Sequence, residues 1–291
     1  MSNPLNKYYN TSYEKQPQAY PGIQSEMKPV PDCGEHSYKG TDKLTDKKAF
    51  VTGGDSGIGR AAAIAYAKEG ADVAINYHPD EQKDAEDVKR VIEAVGRKCV
   101  LLPGDLREAT FAREVAIKAY EALGGLDILV LNAGMQQFEY DIEQLDEQQV
   151  RDTFEVNVFS NIFTIQSVLK HLRPGASIIM TSSIQGVKPS AHLVDYAMTK
   201  SCSISMTKSL AAQLGPKGIR VNSVAPGPVW TPLQISGGQP QDNIPEFGKK
   251  EPLGRAGQPV ELADVYVLLA SDNASYITGQ VYGITGGSPI N

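Results

Sequence analysis

The chain predicts an α/β fold in a single domain, a doubly wound parallel sheet with helices on both faces. Three observations lead there. From Lys47 onward, short apolar runs alternate with longer amphipathic stretches, the pattern by which a parallel sheet acquires its crossover helices. Most of those runs are continuously apolar rather than alternating, as strands buried on both faces must be. The first run ends in a glycine-rich turn that opens straight into a helix-forming segment.

Residues 1 to about 45 precede this pattern and read as an N-terminal extension, with 46–291 as the domain. Prolines at 4, 17, 21, 29 and 31, among Tyr, Gln, Lys and Ser, leave neither helical nor strand periodicity. Two states fit this composition: a disordered tail, or an arm laid over the domain or a neighbouring subunit by Tyr8, Tyr9, Tyr13 and Tyr20.

Seven strands are expected, at 49–53 (AFVTG), 72–76 (DVAIN), 98–102 (KCVLL), 127–132 (DILVLN), 176–181 (ASIIMT), 219–225 (IRVNSVA) and 280–285 (QVYGIT). The helices between them carry their own punctuation. Asp146 can cap the long segment that follows it, with Gln149 three residues on, and Pro174-Gly175 marks its end. A further helix is expected from Asp195 to Leu214, and Pro259 suits the first turn of VELADVYVLLAS. The stretch between Pro226 and Gln258 is rich in Gly, Pro and Gln, too long and too poor in apolar residues for an ordinary connection. Beside a site such a loop reads as a substrate lid, at about 228–258.

The whole-chain balance excludes several classes. A net charge of −6, with both signs scattered, gives no electrostatic reason to expect nucleic acid. No window approaches the roughly 18 apolar residues of a membrane span, and MSNPLNKYYN lacks the apolar core of a signal peptide. The expectation is a cytoplasmic protein with a small-molecule substrate and no membrane partner. Cys33, Cys99 and Cys202 are far apart and lack metal or redox spacing, so free thiols and no metal site are expected.

The glycine-rich turn reads Gly53-Gly54-Asp55-Ser56-Gly57-Ile58-Gly59. A strand-to-helix turn needs residues without Cβ where backbone bends sharply or approaches a pyrophosphate, and the helix N-terminus offers free N–H groups and a positive dipole end. Gly53, Gly57 and Gly59 fit those roles at a spacing wider than GxGxxG, which points to a dinucleotide. After the second strand stand Asn76, Tyr77 and His78, then Pro79-Asp80-Glu81, with no Arg or Lys to hold a 2′-phosphate. Asp55 would repel one. NAD is therefore favoured, with NADP left open, since Tyr77 and His78 offer no clear acidic ribose ligand either.

Tyr196 and Lys200 fall on one helix face at i and i+4. A free tyrosine has a pKa of about 10, and a neighbouring cation lowers it by stabilising the phenolate. Ser183 ends a strand at the carboxyl edge of the sheet, where open α/β sheets place their ligands; its other reading is a turn or cap serine. Asn132-Ala133-Gly134 closes the fourth strand at the same edge. Asn157 lies inside a helix, a poor place for asparagine, and the plain reading is a buried amide bonded to backbone. His192 and Gln185 could border the substrate, although such side chains more often face solvent.

With these residues in this order, the chain resembles the short-chain dehydrogenase/reductase superfamily over about residues 46 to 287. The resemblance implies a seven-stranded Rossmann-type sheet in the order 3-2-1-4-5-6-7 and a tetrad of Asn157, Ser183, Tyr196 and Lys200. Tyr196 would protonate a carbonyl or deprotonate an alcohol, Ser183 would steady the reacting oxygen, Lys200 would also hold the nicotinamide ribose, and Asn157 would position a water. It further implies that Asp105-Leu106 meet the adenine, Asn132-Ala133-Gly134 the adenosine half, and Pro226-Gly227-Pro228-Val229-Trp230-Thr231 the nicotinamide amide and phosphates. A homotetramer is implied through the fifth and sixth helices and the last strand; Ala197, Ser201, Ser205 and Ala211 would permit close packing there or face the core. The extension and the Asp55-Ser56 loop look like a bacterial branch described as stress-associated or glucose-dehydrogenase-like. The expected activity is an NAD-linked alcohol dehydrogenase or carbonyl reductase. Reduction of an acyl thioester or enoyl group, and a non-enzymatic nucleotide sensor, are the alternatives.

Overall fold

A computed structural model of the protein describes residues 2–290. Its strands are β1 (Lys48–Thr52), β2 (Asp72–Tyr77), β3 (Cys99–Pro103), β4 (Ile128–Leu131), β5 (Ser177–Thr181), β6 (Arg220–Pro226) and β7 (Val281–Ile284). They form one parallel sheet in the order β3-β2-β1-β4-β5-β6-β7. Ala49 of β1 pairs with Val73 on one side and Ile128 on the other. The chain therefore runs outward from β1 in one direction, returns, and builds β4 to β7 in the other. That reversal opens a crevice at the carboxyl ends of β1 and β4.

The helices are α1 (Gly57–Lys68), α2 (Gln82–Ala94), α3 (Ala109–Leu123), α4 (Glu147–Phe154), α5 (Ser160–Val168), α6 (Val194–Leu214) and α7 (Val260–Ala270). Side chains alternate across the sheet because successive strand residues point to opposite faces. Ala49 and Val51 pack with Ala62, Val88, Ile92 and Leu262 from α1, α2 and α7, whereas Phe50 packs with Ala112, Val115, Ile165 and Leu214 from α3, α5 and α6. The two fully buried clusters are the two halves of the core.

Asp146 caps α4 as its sequence suggests, with its carboxylate accepting from Gln149 N at 2.9 Å. The long helix does not run on regularly. Residues Glu155–Phe159 form a π turn between α4 and α5, and this wider turn carries Asn157. On α6, Ala197 and Ala211 are buried while Ser201 and Ser205 are exposed, so only the serines are free for close packing with a neighbour. No described helix is long and apolar enough to cross a membrane. The three cysteines are unpaired.

The segment before β1 lies along its own domain. Tyr13 stacks on Trp230 with ring centroids 3.9 Å apart, and Trp230 Nε1 donates to Pro29 O at 2.9 Å. Glu35 pairs with Arg60 of α1 at 2.7 Å, and Lys68 Nζ donates to the carbonyls of Gly34, Glu35 and Tyr38. The stretch after β6 is more ordered than its composition suggests, with a π turn at Gln234–Gly238 and a 3-10 turn at Gln241–Glu246. Its scarce apolar side chains, Trp230, Ile235, Ile244 and Ala256, are buried because Tyr13 and Met27 of the N-terminal segment complete their cluster. Two regions poor in apolar residues thus share one small core.

Candidate active site

The glycine loop sits where α1 must pass very close to β1. A Cβ on Gly59 would stand 1.9 Å from Gly53 O and 2.5 Å from Asn132 Nδ2, so no other residue fits. Gly57 begins α1 at φ +51°, a conformation costly to residues with a side chain. Asn132 fastens the loop: its Nδ2 donates to Thr52 O and Gly53 O at 3.2 and 3.0 Å, and its Oδ1 accepts from Thr181 Oγ1 at 3.1 Å. Thr52 Oγ1 in turn accepts from the backbone N–H of Asn132 and Ala133. The Asn132 side chain therefore ties three strand ends together.

These strand ends border a cavity of about 560 Å³ that runs from Tyr77, His78 and Asp105 past the glycine loop to Ser183, Tyr196 and Lys200. Asp55, Ser56, Ile58, Asn76, Leu106, Ala133, Gly134, Pro226, Gly227, Val229 and Thr231 line it as well. Of the residues expected here, Gly59, Asn157 and Trp230 do not line it; Gly59 is enclosed in its turn, Asn157 lies behind the wall, and Trp230 is fully buried against Tyr13. Asn76 borders the cavity, but its Nδ2 donates to Leu102 O and Gly104 O, both at 3.1 Å, which joins β2 to β3. Tyr77 donates its hydroxyl to Gln82.

The end of the cavity beside Tyr77 and His78 holds an acidic pair, Asp55 and Glu81. Asp55 is 1% exposed, and its Oδ2 is buried without a hydrogen-bond partner. Burial pushes its pKa up to about 6, opposed by hydrogen bonds from its own backbone and from Glu81. Burial and then the charge on Asp55 hold Glu81 well above the carboxylate range. Burial thus pushes both carboxyls of the pair toward the protonated form, Glu81 further than Asp55. The sequence signal for Glu81 was present in His78-Pro79-Asp80-Glu81, a proline-initiated turn in which Glu81 accepts from His78 N at 3.3 Å. Asp105 is engaged elsewhere, held below its ordinary value, despite burial, by Arg107.

At the far end, α6 places Tyr196 and Lys200 one turn apart, 6% and 4% exposed. Lys200 Nζ lies 5.3 Å from the Tyr196 ring centroid and donates to Thr181 O at 2.9 Å. Ser183 accepts from Gln185 N at 3.1 Å and borders the same end of the cavity as the phenol. The expectation that Lys200 lowers the phenol pKa is corrected. Burial dominates and pushes Tyr196 up to about 12, with Ser183 pulling the other way, while burial alone brings Lys200 down to about 8. Both groups are stabilised as neutral species because the pocket desolvates them.

Asn157 is held by protein groups on three sides. Its Oδ1 accepts from Met135 N at 2.8 Å, and its Nδ2 donates to Met135 O at 2.9 Å and Thr199 Oγ1 at 3.0 Å. Its carbonyl accepts from Asn161. The side chain is the backbone-bonded amide of the plain reading, and it braces the turn of α6 that carries Lys200. His192 and Gln185, by contrast, do border the cavity; His192 Nε2 is buried without a partner, and Gln185 exchanges hydrogen bonds with Ser190. Tyr20, Pro21, Gly22 and Gln136 line it too, and no motif pointed to them.

A family model described as enoyl-(acyl carrier protein) reductase matches residues 53–288. The protein named uncharacterized oxidoreductase YhxD, from Bacillus subtilis, is 61% identical over 99% of this chain and 98% of its own. NADPH-dependent aldehyde reductase 1, chloroplastic, from Arabidopsis thaliana, is 41% identical over 96% of this chain and 99% of its own. A solved short chain dehydrogenase from Burkholderia cenocepacia, in complex with NADP, matches with a TM-score of 0.78 and 34% identity over 84% of this chain and 98% of its own.

Proposed function

The chain belongs to the short-chain dehydrogenase/reductase superfamily, and we propose that it interconverts a small alcohol and its carbonyl compound with NAD, Tyr196 moving the proton. The observation that carries this reading is the burial of Tyr196, Ser183 and Lys200 together at one end of a cavity whose other end is the glycine loop. The residues fit a nicotinamide dinucleotide. Gly53 and Gly57 border the cavity where α1 begins, a helix N-terminus suited to a pyrophosphate, and Asp55 borders it too, an acceptor suited to a ribose hydroxyl. When bound, that cofactor supplies or accepts the hydride.

The protein's own part is the proton and the placing of the reacting oxygen. A phenol held up at about 12 keeps its proton at neutral pH and is ready to give it to a carbonyl oxygen, with the Ser183 hydroxyl steadying that oxygen. In the reverse direction the deprotonated phenol takes the proton back from the alcohol, with Lys200 Nζ held 5.3 Å from the ring centroid. The Ser183 to Tyr196 spacing supports carbonyl chemistry over reduction of an enoyl group, the activity in the matched family's description. Exposed Val194 and Met198 on α6 support assembly as a homotetramer.

The Asp55–Glu81 pair supports NAD, since Lys200 and Lys250 are the only lysine or arginine side chains along the cavity among the described residues. The Burkholderia complex and the Arabidopsis reductase favour NADP as the second reading. Nicotinamide fluorescence of NADH and NADPH with the purified protein decides between them. Tighter NADH binding, lost in Gly57→Asp, is expected; tighter NADPH binding would overturn the choice of NAD, and no binding of either would overturn the enzymatic reading.

A further inference from the structure

One wall of the cavity comes from outside the part of the chain that the family model matches, which begins at residue 53. Tyr20, Pro21 and Gly22 border the cavity together with Glu81 and Asp105, whose charges bear on the Tyr20 phenol. This is a built turn rather than a strand of tail lying across the surface. The Gln18 side chain closes it, accepting from Ile23 N at 2.5 Å and donating to Ile23 O at 3.2 Å. Gln18 N donates to Ile235 O at 3.1 Å on the lid side, and Gly22 comes so near Pro232 that a Cβ would lie 3.1 Å from its carbonyl oxygen.

On the other side the turn is bound to the glycine loop itself. Gln24 is 1% exposed, and its Oε1 accepts from Gly57 N at 2.7 Å, filling one of the free N–H positions of α1. The backbone N–H groups of Gln24 and Ser25 donate to the two oxygens of Asp84 on α2. Tyr20 therefore stands at the tip of a clamped turn that joins the lid to the pyrophosphate loop.

We propose that Tyr20 is a cofactor-binding residue, its ring and hydroxyl contacting the adenosine half of the dinucleotide and closing that end of the cavity. The proposal rests on the reading that the cavity holds a nicotinamide dinucleotide. An aromatic ring offers a purine a stacking surface, and a phenol offers a ribose hydroxyl a hydrogen bond. The N-terminal segment thereby becomes part of the binding site, and a protein lacking it would hold the same cofactor with one wall missing.

Calorimetry on the full chain tests this with ADP-ribose, which carries the adenosine half, and reduced nicotinamide mononucleotide, which does not. Tyr20→Ala is expected to weaken ADP-ribose about tenfold and leave the mononucleotide unchanged, while Tyr20→Phe, which keeps the ring, stays within about threefold of the unaltered protein. Unchanged ADP-ribose binding in Tyr20→Ala overturns the proposal and leaves the functional reading standing. Equal losses for both ligands overturn it too, since they mark a general loosening of the site. If the unaltered protein binds neither NADH, NADPH nor ADP-ribose, the functional reading fails and this proposal with it.

Discussion

At the level of single residues, the site shows how burial decides charge. Asp55, Tyr196 and Lys200 are all within a few per cent of complete burial, and each is pushed toward its neutral form. For Tyr196 this keeps the proton in place; for Asp55 it moves titration into the range of ordinary assays. Because the Asp55 pKa is raised to about 6, its negative charge is present at pH 8 and disappears as pH falls through 6. A 2′-phosphate near it is repelled at the higher pH and less so at the lower. The ratio of NADPH to NADH dissociation constants should therefore fall by about tenfold or less between pH 8 and pH 5.5, and Asp55→Asn should show the low ratio already at pH 8. A ratio in Asp55→Asn equal to that of the unaltered protein would remove Asp55 from cofactor choice.

The residue types were legible in the sequence, and their partners were not. Tyr196, Lys200 and Ser183 announce themselves by spacing, and the structure brings them together. That Lys200 Nζ would turn to the Thr181 carbonyl, and that Asn157 would spend its amide on Met135, depends on backbone from distant segments that no local spacing reports.

Among the elements, the sheet was the most readable part. Each strand lies within two residues of its apolar run, since a strand covered on both faces has to be apolar throughout. The π turn at Glu155–Phe159 left no periodic trace, because it adds only one residue's worth of phase to a long helix. The N-terminal segment and the stretch after β6 were unreadable for a different reason. Each has too few apolar residues to imply a core alone, and only their pairing across 217 positions, Tyr13 on Trp230, supplies one. Tyr13→Ala should accordingly cost about 3 kcal/mol and release the arm, with trypsin cutting at Lys15 long before it enters the domain. Cleavage no faster than in the unaltered protein would mean that this stack does not hold the arm.

Taken as a whole, the molecule is a common sheet topology with an added strap. The crossover pattern implied a doubly wound parallel sheet and the resemblance to the superfamily its strand order, and the crevice at the β1–β4 reversal collects the glycine loop, the acidic pair and the tyrosine helix at one edge. The strap reaches that same edge from the N-terminus and ties the glycine loop to the stretch after β6. Such an arrangement makes sense for an enzyme that must hold a dinucleotide along a cavity while a proton is exchanged at one end. The most direct measurement is single-turnover consumption of bound reduced cofactor by a panel of simple aldehydes, comparing the unaltered protein with Tyr196→Phe. The account predicts that the variant binds cofactor as before and reduces at least about a hundredfold more slowly, since it lacks the proton donor; reduction at an undiminished rate would contradict it.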